Sequence, residues 1–210
     1  MLDSMQAALF DLDGVIVDTA KFHYLAWREL ANGLGFDLSE AQNEQLKGIS
    51  RMESLDIILK IGGVELPAEE KLRLATVKNG RYVEMVKELD ASEILRGAKD
   101  YLVALRARGV KIALGSASKN AEIILQNLGV IDLFDAIIDG NKISKSKPDP
   151  QVFLLGAEAV GVPPSACVVF EDAAAGIEAA KAGGMYAVGI GLAENLPRAD
   201  MVVPGLYALL

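Results

Sequence analysis

Leu9-Phe10-Asp11-Leu12-Asp13-Gly14-Val15-Ile16-Val17-Asp18-Thr19 is the stretch whose reading decides the fold. Ala7 to Phe10 is a short apolar run, as a parallel strand buried on both faces requires. It ends in two aspartates one residue apart, then a glycine. Side chains alternate along a strand, so a regular strand would point Asp11 and Asp13 in opposite directions. For both to meet one ligand the chain must bend near Leu12, and Gly14 supplies the freedom to turn away. Two carboxylates so close repel unless a cation lies between them or one holds a proton. Such hard oxygen ligands suit Mg²⁺, which takes one or two carboxylates together with phosphate oxygens. The plainer alternative is a strand that ends in an acidic turn.

Outward from this stretch, the chain first turns helical. Phe22, Leu25, Ala26, Leu30 and Ala31 recur at spacings of three and four and predict one apolar helix face. Ser39 with Gln42, and Ser50 with Glu53, read as capping boxes that open two further helices. Leu55, Ile58 and Leu59 stripe the latter, and Pro67 is placed in the first turn of a helix running to Val86. Beyond residue 93, strand and helix alternate. Val110–Leu114, Ala136–Ile138, Cys167–Phe170 and Tyr186–Ile190 read as strands, and Asp149-Pro150 as an N-cap and first helical residue. Alternation of this kind predicts an α/β fold, a Rossmann-like parallel sheet covered by helices. The helical block interrupts it after the first strand. The expected organisation is a discontinuous core, 1–20 and 94–210, with an inserted helical cap, 21–93.

The 210 residues are about half apolar, enough for a sizeable core. The net charge of −8 argues against a nucleic-acid footprint, yet local cations and a metal can hold a phosphate on an acidic protein. Cys167 is the only cysteine and lies in an apolar run, so it reads as a buried small hydrophobe and not a nucleophile. No basic leader precedes Asp3, and no run approaches the ~18 apolar residues of a membrane span. The expectation is a soluble cytoplasmic protein without membrane or nucleic-acid partners.

Three more stretches fall where ligands bind an open parallel sheet, beyond the carboxyl ends of strands. Ser116-Ala117-Ser118-Lys119-Asn120 offers hydroxyls and amides at a helix start, fit for a phosphate or for simple capping by Ser118. Lys147 stands in a loop before a helix, where most lysines are merely solvated. Glu171-Asp172 closes an apolar run, and Asp172 could as well cap the alanine-rich helix that follows.

D-x-D-G-x-x-x-D-T behind a hydrophobic strand resembles the first motif of the haloacid dehalogenase-like phosphotransferases. The later stretches match the remaining motifs in order, with E-D-x-x-x-G completed by Gly176. The resemblance implies that Asp11 is the phosphorylated nucleophile and Asp13 the general acid/base. It further implies that Lys147, favoured over Lys142 and Lys145, neutralises phosphoryl oxygens. Mg²⁺ would be held among Asp11, Asp13, Glu171 and Asp172. The run D-G-V-I-V-D-T-A-x-x-H-x-x-A-W, then L-K-G-I-S-R-x-x-S-L, Lys78-Asn79 and S-A-S-K-N, resembles one branch, the β-phosphoglucomutases. That likeness implies that Thr19, His23 and Lys78 couple cap closure to Asp13. Trp27, Gly48, Ser50, Arg51 and Ser54 would line a sugar-phosphate pocket, with Arg51 gripping the phosphate that is not transferred. Ser116, Ala117, Ser118, Lys119 and Asn120 would meet phosphate from the core side. Taken from the residues alone, His23 is as readily a packed helix residue.

The activity implied is interconversion of β-glucose 1-phosphate and glucose 6-phosphate through β-glucose 1,6-bisphosphate, by a monomer acting on small sugar phosphates. The rivals are a sugar-phosphate phosphatase with the same core and a non-enzymatic phosphosugar-binding protein. Relatives in this branch continue into a longer final helix, where this sequence ends at Leu206-Tyr207-Ala208-Leu209-Leu210.

Overall fold

The computed structural model describes residues 2–46 and 49–210. Six strands form one sheet: β1 (Ala7–Phe10), β2 (Lys111–Gly115), β3 (Ala136–Ile138), β4 (Cys167–Glu171), β5 (Tyr186–Ile190) and β6 (Met201–Val203), in the order β3-β2-β1-β4-β5-β6. Every pairing is parallel. This is the α/β parallel sheet that the alternation predicts.

The apolar run of β1 is buried on both faces because it occupies the middle of that sheet. Ala8 and Phe10 join one core cluster while Ala7 and Leu9 join the other, the alternation a strand imposes. On the first face, α5 (Ala98–Ala107) and α6 (Ala121–Asn127) cover Ile112, Leu114, Val168 and Phe170. Phe10 stacks on Phe170 with ring centroids 4.6 Å apart, and Tyr101 meets both rings edge-on. On the second face, α7 (Gln151–Ala159) and α8 (Ala174–Ala182) cover Leu9, Ala113 and Val169.

Between β1 and β2 the chain forms α1 (Ala20–Gly33), α2 (Glu40–Glu44), α3 (Arg51–Gly62) and α4 (Ala68–Val86). Both predicted capping boxes are present, Ser39 with Gln42 and Ser50 with Glu53. Trp27, Ala31, Leu38, Leu55, Ile58, Leu59 and Ala75 pack into a third apolar cluster among these helices. Ala26, Tyr82 and Val86 instead join the cluster on the first sheet face, which ties α1 and α4 to the sheet.

Local expectations shift in several places. On α1, Leu25 is 48% exposed and Trp27 takes its place in the interior. Pro67 precedes α4 by one residue. Pro150 occupies the N-cap position of α7, and Asp149 Oδ1 accepts the Gln151 N–H. Ser118 does not cap α6, whose N-cap is Asn120; its hydroxyl accepts the Asn120 N–H within the loop. Asp172 is not the cap of α8 either, since Glu171 Oε2 accepts the Ala173 N–H there. Two elements, α5 and β6, add to those read from the sequence. Among the described residues no helix is long and apolar enough to cross a membrane.

Candidate active site

β1 lies between β2 and β4, so the chain reverses its direction of travel across the sheet at β1 and opens a crevice beyond the strand ends. Phe10 and Phe170 are in register, so the residues after each emerge side by side. Asp11 follows directly, and its N–H donates to Phe170 O. Ligand oxygens of Asp11, Glu171 and Asp172 lie within 4.8 Å of one another. The carboxylate of Asp13, placed by sequence among the same metal ligands, stands outside that group and accepts a hydrogen bond from the Thr19 hydroxyl.

Two glycines permit the crowding. Gly14 has φ +75°, and a Cβ there would run into the Asp172 carboxylate. A Cβ on Gly176 would run into the Glu171 carboxylate. The glycines of both acidic motifs are thus required by close approach.

Lys147 is buried, and its Nζ lies 2.6 Å from both Asp11 Oδ1 and Glu171 Oε1. Burial alone would lower its pKa, but these two carboxylates outweigh it and keep the ammonium charged. Lys142 and Lys145 are turned elsewhere, to Glu122 and Asp149. The clustered carboxylate oxygens of Asp11, Glu171 and Asp172 are a hard donor set that fits a divalent cation such as Mg²⁺.

A second group of polar residues extends from Asp13. Thr19 accepts from the Tyr82 hydroxyl at 3.2 Å while donating to Asp13. The Tyr82 ring stacks on His23 with centroids 4.0 Å apart. His23 Nδ1 lies 2.9 Å from Lys78 Nζ, which sits 4.2 Å over the Trp27 ring. Burial, then Lys78 and Arg51, push His23 well below its ordinary range. The ring is therefore neutral, with Nδ1 accepting from the lysine and its proton on Nε2. Burial first, then Asp11 and Asp18, push Asp13 up to about 8. That direction favours the protonated form, the one a general acid needs.

One cavity of about 670 Å³ joins both groups. Its walls include Asp11, Asp13, Asp172, His23, Trp27, Lys78 and, from the loop after β2, Ser116 to Asn120. Ser50, Arg51 and Ser54 line it from α3. Ser50 spends its hydroxyl on the capping box with Glu53. Arg51 has no carboxylate partner among the described residues, and burial lowers its pKa. Ser116 Oγ accepts the Ser118 N–H, and Asn120 Nδ2 donates to Asn79 Oδ1 on α4 at 2.9 Å. Gly48 lies outside the described residues. The sequence reading misses Tyr82, because an aromatic on a helical stripe looks like ordinary core.

A family model described as haloacid dehalogenase-like hydrolase matches residues 5–184. The β-phosphoglucomutase of Bacillus subtilis is 44% identical over 201 residues, 95% of this chain and 89% of that protein. A crystal structure of β-phosphoglucomutase from Clostridium difficile superposes with a TM-score of 0.95 at 46% identity, covering 98% of this chain and 93% of that one. The fructose-1-phosphate phosphatase YqaB of Escherichia coli is 32% identical, over 91% of this chain and its own full length. With carboxylates, lysine and sheet order arranged as described, these matches place the chain in the haloacid dehalogenase-like hydrolase family.

Proposed function

We infer that this chain is a β-phosphoglucomutase, a phosphotransferring isomerase that interconverts β-glucose 1-phosphate and glucose 6-phosphate through bound β-glucose 1,6-bisphosphate. The observation that carries the reading is one cavity walled on the core side by Asp11, whose carboxylate is paired with Lys147, and on α3 by Arg51, which has no carboxylate partner among the described residues. A bisphosphate has an anion at each end, and a guanidinium without a carboxylate partner suits the one that is not being transferred. Residues 1–20 and 94–210 serve as catalytic core and 21–93 as cap, in a monomeric cytoplasmic protein.

In this reading an Asp11 oxygen attacks phosphorus, the aspartyl O–P bond forms and the P–O bond to the sugar breaks. Asp13 gives its proton to the departing sugar oxygen, and in the reverse step takes one from the attacking hydroxyl. Lys147 stays charged throughout and orients Asp11. Asp11 and Asp172 would hold Mg²⁺, which when bound neutralises charge on the phosphoryl oxygens. Glu171, whose oxygens bind Lys147 and the Ala173 N–H, fixes the lysine, and its carboxylate lies in the same cluster that would hold the cation. Ser116, Lys119 and Asn120 meet the phosphoryl group from the core side. Turnover is expected to vanish in excess EDTA and return with Mg²⁺; full activity after dialysis against chelator would contradict the metal assignment.

The similarity to a sugar-phosphate phosphatase keeps one alternative in view, water as acceptor in the same site. Incubation with β-glucose 1-phosphate and catalytic bisphosphate decides between them. Glucose 6-phosphate is the product expected, and inorganic phosphate as the main product would favour the phosphatase.

A further inference from the structure

Tyr82 belongs to none of the sequence motifs, yet it is fully buried at the junction of the helical block and the sheet. Its hydroxyl donates to Thr19 Oγ1 at 3.2 Å, and the Ser118 side chain, in the loop after β2, acts to lower the phenol's pKa. Its ring stacks on His23, and Lys78 Nζ is 5.1 Å from the ring centroid. Thr19 is also fully buried and has a single hydroxyl proton, which it gives to Asp13 Oδ1. The threonine oxygen can therefore meet Tyr82 only as acceptor, so the chain of donation runs Tyr82 to Thr19 to Asp13. Each link polarises the next in a water-poor setting. Burial, then the charge of Asp13, hold the phenol proton well above its ordinary range, so Tyr82 remains a donor at every working pH.

We propose that the Tyr82 hydroxyl is a positioning group for the acid/base: it fixes the Thr19 rotamer and through it aims Asp13. The proposal rests on the reading of Asp13 as acid/base. Asp13 must be aimed when a sugar oxygen leaves or attacks, since either event needs a proton moved. It matters far less when acetyl phosphate phosphorylates Asp11, because acetate leaves without a proton. Tyr82→Phe keeps the ring on His23, the lysine contact and the core volume, and deletes only the donor. Losing alignment worth one hydrogen bond corresponds to about tenfold in rate.

The test is a cycle of Tyr82→Phe, Thr19→Val and the double variant, with sugar-phosphate turnover and acetyl phosphate labelling measured on each. Tyr82→Phe is expected to lower kcat with β-glucose 1-phosphate about tenfold while KM holds, and labelling by acetyl phosphate is expected to fall far less. Because Tyr82 acts through Thr19, the double variant should be no slower than Thr19→Val alone. Wild-type kcat in Tyr82→Phe, equal losses with both donors, or losses that multiply in the double variant would each overturn the proposal. A wild-type protein that makes only inorganic phosphate from β-glucose 1-phosphate defeats the mutase reading alone. The same cycle is then read on that hydrolysis, where Asp13 serves water.

Discussion

Burial and the neighbouring charge of Arg51 pull Lys78 down to about 7, against 10.5 for a free lysine. The unfolded chain therefore binds that proton more tightly between those two values. Keeping Lys78 charged inside the protein costs stability in full below pH 7, and the cost fades as pH climbs toward 10.5. Lys78→Met is expected to resist denaturant better than wild type at pH 6.5, by a margin that shrinks at pH 9.5. A margin that stays constant or widens would contradict the burial of a strained cation. In the function proposed here, a bound phosphate dianion would relieve the repulsion between Lys78 and Arg51. At the carboxylates, Asp11→Asn is expected to abolish labelling by a phosphoryl donor with the fold intact, since an amide is isosteric but a poor nucleophile. Asp13→Asn should keep ligand affinity and lose ~10²–10⁴-fold in turnover. Labelling of Asp11→Asn at the wild-type level would place the nucleophile elsewhere.

Strand ends and helix starts decide where these side chains stand. β4 delivers Glu171 and Asp172, and α8 begins two residues later, so Gly176 in the first turn of α8 faces the Glu171 carboxylate. Gly176→Ala would gain up to about 1 kcal/mol in helix propensity. The added methyl, however, enters a carboxylate already fixed by Lys147 and the Ala173 N–H. Overpacking of about 1–3 kcal/mol wins, and Lys147 loses its seat. The variant is expected to melt lower and to lose activity together; a variant as stable and active as wild type would refute the packing argument. Most elements were legible because their periods and caps are local: the two capping boxes, the β1 run and the two acidic strand ends at Asp11 and Glu171-Asp172. The stripe on α1 was misread at Leu25 because Trp27 offers an equally spaced apolar face, and only tertiary packing chooses between them. α5 carries a readable stripe in Ala98, Tyr101, Leu102 and Leu105, whereas β6 at three residues is too short to announce itself. Asp172 looked like a cap since chemistry at a strand end and at a helix start uses the same residues. Tyr82 is invisible in the sequence because its partner Thr19 is 63 positions away in the chain.

For the molecule as a whole, the helical block and the sheet meet along α4, where Asn79 holds Asn120 and Tyr82 holds Thr19. A mutase must keep its phosphoaspartate from water until a sugar is bound, and sugar binding energy spent on closing such a junction does both. In the function proposed here, Arg51 on α3 would collect that energy from the second phosphate. The most direct measurement is the partitioning of the phosphoenzyme, formed with a small donor, between added β-glucose 1-phosphate and water. Wild type is expected to transfer mainly to the sugar, and Arg51→Ala to shift the balance toward inorganic phosphate while labelling by acetyl phosphate persists. Inorganic phosphate as the main wild-type product at saturating sugar would contradict the mutase reading.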